Sequence, residues 1–557
     1  MNLIARAQVA VVGIAFMLAL GAAQVARAQS SKPTKVDSAL QLAAHIDASF
    51  AQHWAKHEVQ PAAQSDDAEF LRRVYLDLIG RIPSAGEARQ FLADKALDKR
   101  QRLVETLLNH PRYTMHWMNY WETLLLPESK YEATNGISRS FEAWVRKQMQ
   151  SNVAYDKMVR ELLTAPVNVL MKLNDQLFPV QFQNEKGTFG GAGGADRIPY
   201  SYAAPYAVVF YQVDKAAPES LAGRTSRLFL GVRLECAQCH DHPFAKWKRE
   251  QFWSQAAFFA GIEAPGKGVP LRDNPNIKSI AMSEGGRVVP ARFLDGTEPQ
   301  WQDGVGGRKL LADWVTSPKN PYFARAITNR LWAYFLGTGL IEPVDEMVSK
   351  DVQDNDPGGM LDELAQEFVA NGFDLKFLMR AITATKVYQA TSAKSHASQD
   401  DPRLFARMSV RGLTAEQVFD SLTEAIGERL PRQNTISPNA GSSANDARGR
   451  FLRMFTNRTE TAINAQSSIP QALAMMNGKL SADAIRKSRT LAAVLDSPFL
   501  DAKGRVEALY LATLSREPRS EELKRVLQFI DQAGSQEDGL ADLFWALLNS
   551  AEFKLNH

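Results

Sequence analysis

Ala68-Glu-Phe-Leu-Arg-Arg-Val-Tyr-Leu-Asp-Leu-Ile-Gly-Arg-Ile-Pro-Ser-Ala-Gly-Glu87 is the stretch that decides the fold. Phe70, Leu71, Val74, Leu78 and Ile79 recur at helical spacing, which predicts a helix over 68–79. Gly80 is suited to end that helix, because glycine enters the left-handed region without a Cβ penalty. Pro83 follows, and Ser84-Ala-Gly-Glu87 has the spacing of a capping box. In that box the serine hydroxyl accepts from the Glu87 backbone N–H while the Glu87 carboxylate reaches back to the Ser84 N–H. The stretch reads as helix, tight turn, helix.

The same spacing returns far along the chain. Tyr75, Leu76, Arg81, Pro83 and Glu87 match Tyr510, Leu511, Arg516, Pro518 and Glu522 with every interval equal. In both copies the tyrosine and leucine are expected to pack inward, and the proline suits the start of the second helix. Arg519 stands where the first copy has Ser84, which predicts a weaker or shifted cap. A looser echo joins Leu103–Trp121 to Leu310–Trp332: each has a helix, a Pro-aromatic break and a tryptophan-bearing helix. That pair reads equally well as two unrelated hairpins. Neither echo has the short period of a solenoid.

Working outward, helical periodicity predicts further helices at 37–57, 99–109, 113–126, 138–150, 154–164, 308–316, 321–336, 359–371, 374–386 and 414–427, with helices again in the last third. Residues 206–213 are expected as a strand, 218–234 as a helix, and Val288–Leu294 as short strand-like pieces in a Gly/Pro-rich stretch. Asn184–Pro199 and 431–447 read as loops. The expected fold class is mainly α: a multi-helix array with a small irregular β element around 200–300. The expected division is a signal peptide at 1–28, an N-terminal domain at 37–262, a loop-rich linker at 263–307 and a C-terminal helical domain at 308–555.

Residues 1–28 have the form of a secretory signal, with Arg6, an apolar run from Val9 to Ala23 and an Ala26-Arg-Ala28 cleavage site. The apolar run is short for a membrane anchor. Cleavage would remove Arg6 and Arg27 from the 65 basic residues, leaving 63 against 62 acidic ones. The mature protein is expected in a periplasm or secreted, without a transmembrane span. A balance so near zero argues against nucleic acid as a partner, which calls for a basic surface. Roughly 530 mature residues suggest three or four folding units by length.

Cys236-Ala-Gln-Cys-His240 holds both cysteines of the chain. This is the attachment pattern of a c-type haem: two thiols add across two vinyl groups, and the next residue supplies an imidazole to the iron. Cys236, Cys239 and His240 are then the cofactor-binding residues and His240 the axial ligand. A sixth ligand must come from elsewhere, since His242 is too close to reach the opposite face. The expected function is an exported mono-haem redox protein, passing electrons to an unknown redox partner or acting in an oxidase- or peroxidase-like way on a small-molecule or polymer substrate. Two other readings stay open. Cys236, Cys239, His240 and His242 suit zinc or iron by ligand type, as in a metal-dependent hydrolase, although four ligands within seven residues close poorly around one ion. A Cys236–Cys239 disulfide in a helical scaffold or binding protein is feasible in an oxidising compartment. Asp241 and His242 are expected either to orient His240 or to cap the turn before Pro243. Phe244, Trp247, Phe252, Trp253, Phe258 and Phe259 read mainly as core, with one or two as haem contacts.

At these residues the chain resembles the secreted planctomycete-type proteins built from a pair of domains of unknown function, often fused to or found beside cytochrome c modules. The N-terminal partner is suggested by Phe70–Pro83 and by Phe229-Leu-Gly-Val-Arg-Leu-Glu-Cys-Ala-Gln-Cys-His-Asp-His-Pro-Phe244. The C-terminal partner is suggested by Asn320–Trp332, Glu342-Pro-Val-Asp-Glu346 and Leu509–Pro518. The resemblance covers about 45 to 550. It implies that Cys236, Cys239 and His240 lie in a signature segment, and it implies no reaction, because the family has none assigned.

Other motifs are weaker. Gly190–Gly194 lacks the ending of a phosphate loop. Asp351, Asp354 and Asp356 with Gly358 resemble a calcium loop without its twelfth-position glutamate and read as a solvated acidic turn. Asp345 and Glu346 are a carboxylate pair of the kind common on surfaces. His53 and His57 lie one helical turn apart, at a spacing that allows a shared metal, and read as solvent-exposed.

Overall fold

The computed structural model describes residues 34–126, 137–167, 170–173, 176–179, 207, 209–212, 216–243, 245–263, 271–283, 286–347, 356–428, 448, 451–452 and 485–557. The signal segment, the loops at 184–199 and 431–447, Phe244, Asp351 and Asp354 lie outside these residues. The fold is mainly α, with small antiparallel two-stranded ladders. No helix among the described residues is long and apolar enough to cross a membrane.

Helix α1 (Lys35–Lys56) leads into α2 (Asp67–Ile79), which starts at an Asp66 cap and stops at Gly80, left-handed at φ 72°. Helix α3 (Ala85–Ala93) opens with the expected box: the Ser84 N–H donates to Glu87 at 2.7 Å, and the Glu87 N–H donates to the Ser84 hydroxyl at 3.3 Å. Helices α4 (Lys99–Leu108), α5 (Pro111–Leu125), α6 (Ile137–Gln150) and α7 (Tyr155–Leu163) follow, with β1 (Leu170–Leu173) and β2 (Gln176–Pro179) paired beyond them.

Two expectations fail in the next stretch. Val209–Gln212 is a short helix, α8, where a strand was expected. Ala207, Val209, Phe210 and Tyr211 are all buried, so no alternation exists to hold a half-exposed strand. The Tyr211 hydroxyl instead donates to the Leu163 carbonyl at the end of α7. The helix expected to run to 234 ends early. Helix α9 (Pro218–Thr225) passes into one π turn, Ser226–Leu230, and Gly231 terminates it at φ 62°. A Cβ on Gly231 would also stand 2.4 Å from the Met347 side chain.

Helix α10 (Arg249–Ala256) precedes the small ladders β3 (Ile262–Glu263) with β4 (Arg272–Asp273) and β5 (Ser279–Ala281) with β6 (Val288–Pro290). Helices α11 (Gly307–Val315), α12 (Phe323–Leu336), α13 (Met360–Ala370), α14 (Leu375–Ala384) and α15 (Lys386–Gln389) follow. Strand β7 (Arg411–Gly412) leads to α16 (Ala415–Ile426), α17 (Arg489–Asp496), α18 (Ala502–Leu514), α19 (Ser520–Gln532) and α20 (Gln536–Asn549), and β8 (Leu555–Asn556) returns to pair with β7.

Two apolar clusters form the core. One runs from Ala39 to Met408 and takes in Leu511; the other holds Leu76, Ile82 and residues from Leu413 to Phe553. Helix α2 serves both, and Phe70 through Ile79 are all buried. Its polar residues are therefore inside and must be paired. Arg72 donates to the carbonyls of Thr513 (3.0 Å) and Phe553 (2.8 Å). Arg73 donates to the carbonyls of Tyr388 (2.5 Å), Ala390 (3.0 Å) and His557 (3.1 Å) and to Glu69 (2.7 Å). Asp77 accepts from Arg411 (3.0 Å), the Tyr388 hydroxyl (2.8 Å) and the Asn556 amide (2.7 Å).

The tight sequence echo is a structural echo. Arg81 pairs with Glu87 and lies over the Tyr75 ring at 5.6 Å; Arg516 pairs with Glu522 and lies over the Tyr510 ring at 5.5 Å. Gly80 and Ser515 occupy the same left-handed position, and α18 packs on α3, so the two copies touch. The Arg519 N–H still donates to Glu522 at 2.7 Å, but arginine offers no acceptor in return, so half of the box is made.

Candidate haem-attachment loop

The loop begins where α9 runs out. After Gly231 a 3₁₀ turn, Leu234–Ala237, buries Leu234 and Ala237 and leaves Cys236 and Cys239 exposed. The two thiols are not bonded to each other. Between them, the Gln238 carbonyl accepts from the Trp253 indole at 3.0 Å and from Arg249 at 3.3 Å, which ties the loop to α10. The Asp241 carboxylate accepts from the Arg249 backbone N–H and from Lys248, both at 2.9 Å. These contacts, the backbone N–H first, hold the Asp241 carboxyl below its ordinary range. Asp241 thus anchors the start of α10.

His240 is exposed, and its Nδ1 lies 2.7 Å from the Asp241 carbonyl. A carbonyl only accepts, so Nδ1 carries the hydrogen and a neutral ring keeps its lone pair on Nε2. Backbone-oriented Nδ1–H with Nε2 left for a metal is the usual second-shell arrangement of a ligating histidine. His242 differs. It is buried, its Nδ1 accepts from the Ala245 N–H at 2.9 Å, and its Nε2 faces Glu346 at 3.9 Å. The expected fourth member of a metal cluster is a brace inside the loop. Among the described residues no group of three or more His, Cys, Asp or Glu is placed to hold a metal ion.

The aromatic run resolves into core: Trp247, Phe252, Trp253, Phe258 and Phe259 are all buried. Glu235, next to Cys236, lies against Gly223 of α9, where a Cβ would stand 2.4 Å from its Cγ. Burial raises the Glu235 carboxyl, and Arg227 lies 3.6 Å away.

The loop is seated on the distant 339–347 segment, whose role the sequence reading missed. Arg330 of α12 is buried, donates to the Leu228 carbonyl at 2.5 Å and to the Arg227 carbonyl at 3.3 Å, and pairs with Asp345. The Met347 N–H donates to the Gly231 carbonyl at 2.9 Å. Asn329 brackets Ile341, accepting from its N–H at 3.0 Å and donating to its carbonyl at 2.7 Å. Asp345 and Glu346 are therefore structural partners of the loop, not a free surface pair. The only sequence signal was that 229–244 and 342–346 both carry the family resemblance. Asp356 accepts from the Leu361 N–H in the first turn of α13 at 3.1 Å.

Residues 45–264 match the family model PSCyt2, described as a protein of unknown function (DUF1549), and residues 307–530 match PSD1, described as a protein of unknown function (DUF1553). No curated protein and no solved structure matches the chain.

Proposed function

We propose, for a chain that joins a PSCyt2 domain to a PSD1 domain in the manner of the planctomycete-type paired family, that Cys236, Cys239 and His240 hold one covalent haem c and that the protein works as an exported redox protein. The observation that carries the reading is the His240 hydrogen bond to the Asp241 carbonyl, which leaves Nε2 unengaged beside two exposed thiols. Cys236 and Cys239 would hold the haem through two thioether sulfurs, and His240 Nε2 would supply a nitrogen to its iron. Bound there, a haem supplies one-electron chemistry. The chain's own part is orientation. Asp241 fixes the imidazole through its carbonyl and α10 through its carboxylate, while Trp253 and Arg249 hold the turn between the cysteines. Arg330 and Asp345 lock the π turn that delivers the loop. The periplasmic or secreted location expected from residues 1–28 is part of this proposal, because haem c is attached after export.

Production in a host with haem-attachment machinery tests it. The expected product is red, with a Soret band and a mass increase of one haem, and Cys236→Ser with Cys239→Ser abolishes the covalent increase. A colourless protein with a blank pyridine haemochrome spectrum overturns the proposal. A mass two hydrogens below the reduced chain would then assign the cysteines to a disulfide.

A further inference from the structure

We infer that His53 and His57 form a second, independent metal site, a two-imidazole chelate for a divalent transition metal with Cu(II) preferred. The two residues stand four apart at the end of α1, and their ring centres are 4.4 Å apart at an interplanar angle of 41°. Neither ring is engaged in a hydrogen bond or an ion pair with a described residue. His57 is exposed and His53 half-buried, so the pair is open to solvent on one side.

With ring centres 4.4 Å apart, the two imidazoles are within reach of one ion, and Cu(II) stands highest in the affinity order for nitrogen donors. Water would fill the remaining positions, so moderate affinity is expected. The site is distant in sequence from the Cys-His loop and does not rest on haem attachment.

Copper sulfate titration of the full chain carrying Cys236→Ser and Cys239→Ser tests the site without thiol competition. One Cu(II) should bind, with an electron paramagnetic resonance spectrum showing two imidazole nitrogens. Since losing even an outer-shell partner costs about 10–100-fold in metal affinity, His57→Ala should weaken binding by at least about tenfold. The metal-free melting temperature of that variant should be unchanged, because the side chain is exposed. Ni(II) should also bind and lose affinity in the same variant. Binding unaffected by His57→Ala and His53→Ala together, or no copper binding at all, overturns the inference and leaves the haem proposal standing.

Discussion

Replacing Asp77 with Asn removes one charge from a position that Arg411, Tyr388 and Asn556 all address. Burial raises this carboxyl, and the Arg411 charge is the chief opposing influence. Breaking one side of a buried pair costs about 3–5 kcal/mol because the other charge stays behind. Asp77→Asn should lower the stability by that order in urea unfolding, and a loss under about 1 kcal/mol would refute the pairing. Glu87 presents a pH dependence. Burial raises its carboxyl, but the hydrogen bonds and charge of Arg81, with the Ser84 N–H, more than offset this and hold it at about 2. An unfolded glutamate titrates near about 4.3, so this contribution is complete above that pH and is lost as pH falls through about 2. Allowing for partial exposure, it is on the order of 2 kcal/mol, and Glu87→Gln should flatten the acid limb of the urea midpoint between about pH 5 and 2. Gly223→Ala should displace Glu235 and cost about 1–3 kcal/mol. Faster alkylation of Cys236 in that variant would show the shift reaching the loop.

At the scale of elements, the two helix–turn–helix copies invite a repair. Arg519→Ser would give the second copy the missing acceptor, and a completed cap is worth about 0.5–2 kcal/mol. Thermal melts should show the variant more stable than the parent; a less stable variant would mean that the arginine side chain matters in another way. The same copies show what the sequence disclosed. Helical spacing, Gly80 and the Ser84–Glu87 box located α2 and α3 to within a residue or two, because caps are local chemistry. Residues 206–213 misled because every described side chain there from Ala207 to Tyr211 is buried, and an apolar run carries no period. Cys236, Cys239 and His240 were legible as a motif and a turn-capping role for His242 was among the expectations, but its approach to Glu346 was not legible. Its partner Glu346 is more than a hundred residues away, and only the folded chain brings them together.

At the scale of the molecule, the two matched domains do not own separate interiors. The first apolar cluster takes residues from both, and α2 is enclosed partly by residues 413–553. A fragment ending at 306 would leave Arg72, Arg73 and Asp77 without most of their partners. It should lack a cooperative thermal transition, and adding residues 307–557 in trans should restore one. A sharp melt of the fragment alone would contradict the shared core. There is also a matter of timing. Arg72 waits for the Leu555 carbonyl, 483 positions later in synthesis. At translation rates of about 5–20 residues per second, that interval is roughly 25 to 100 seconds. Through that time the first long buried helix has no finished surroundings. The nascent polypeptide therefore meets any modifying apparatus with that helix still uncovered, whereas its thiol pair stays accessible after folding as well as before.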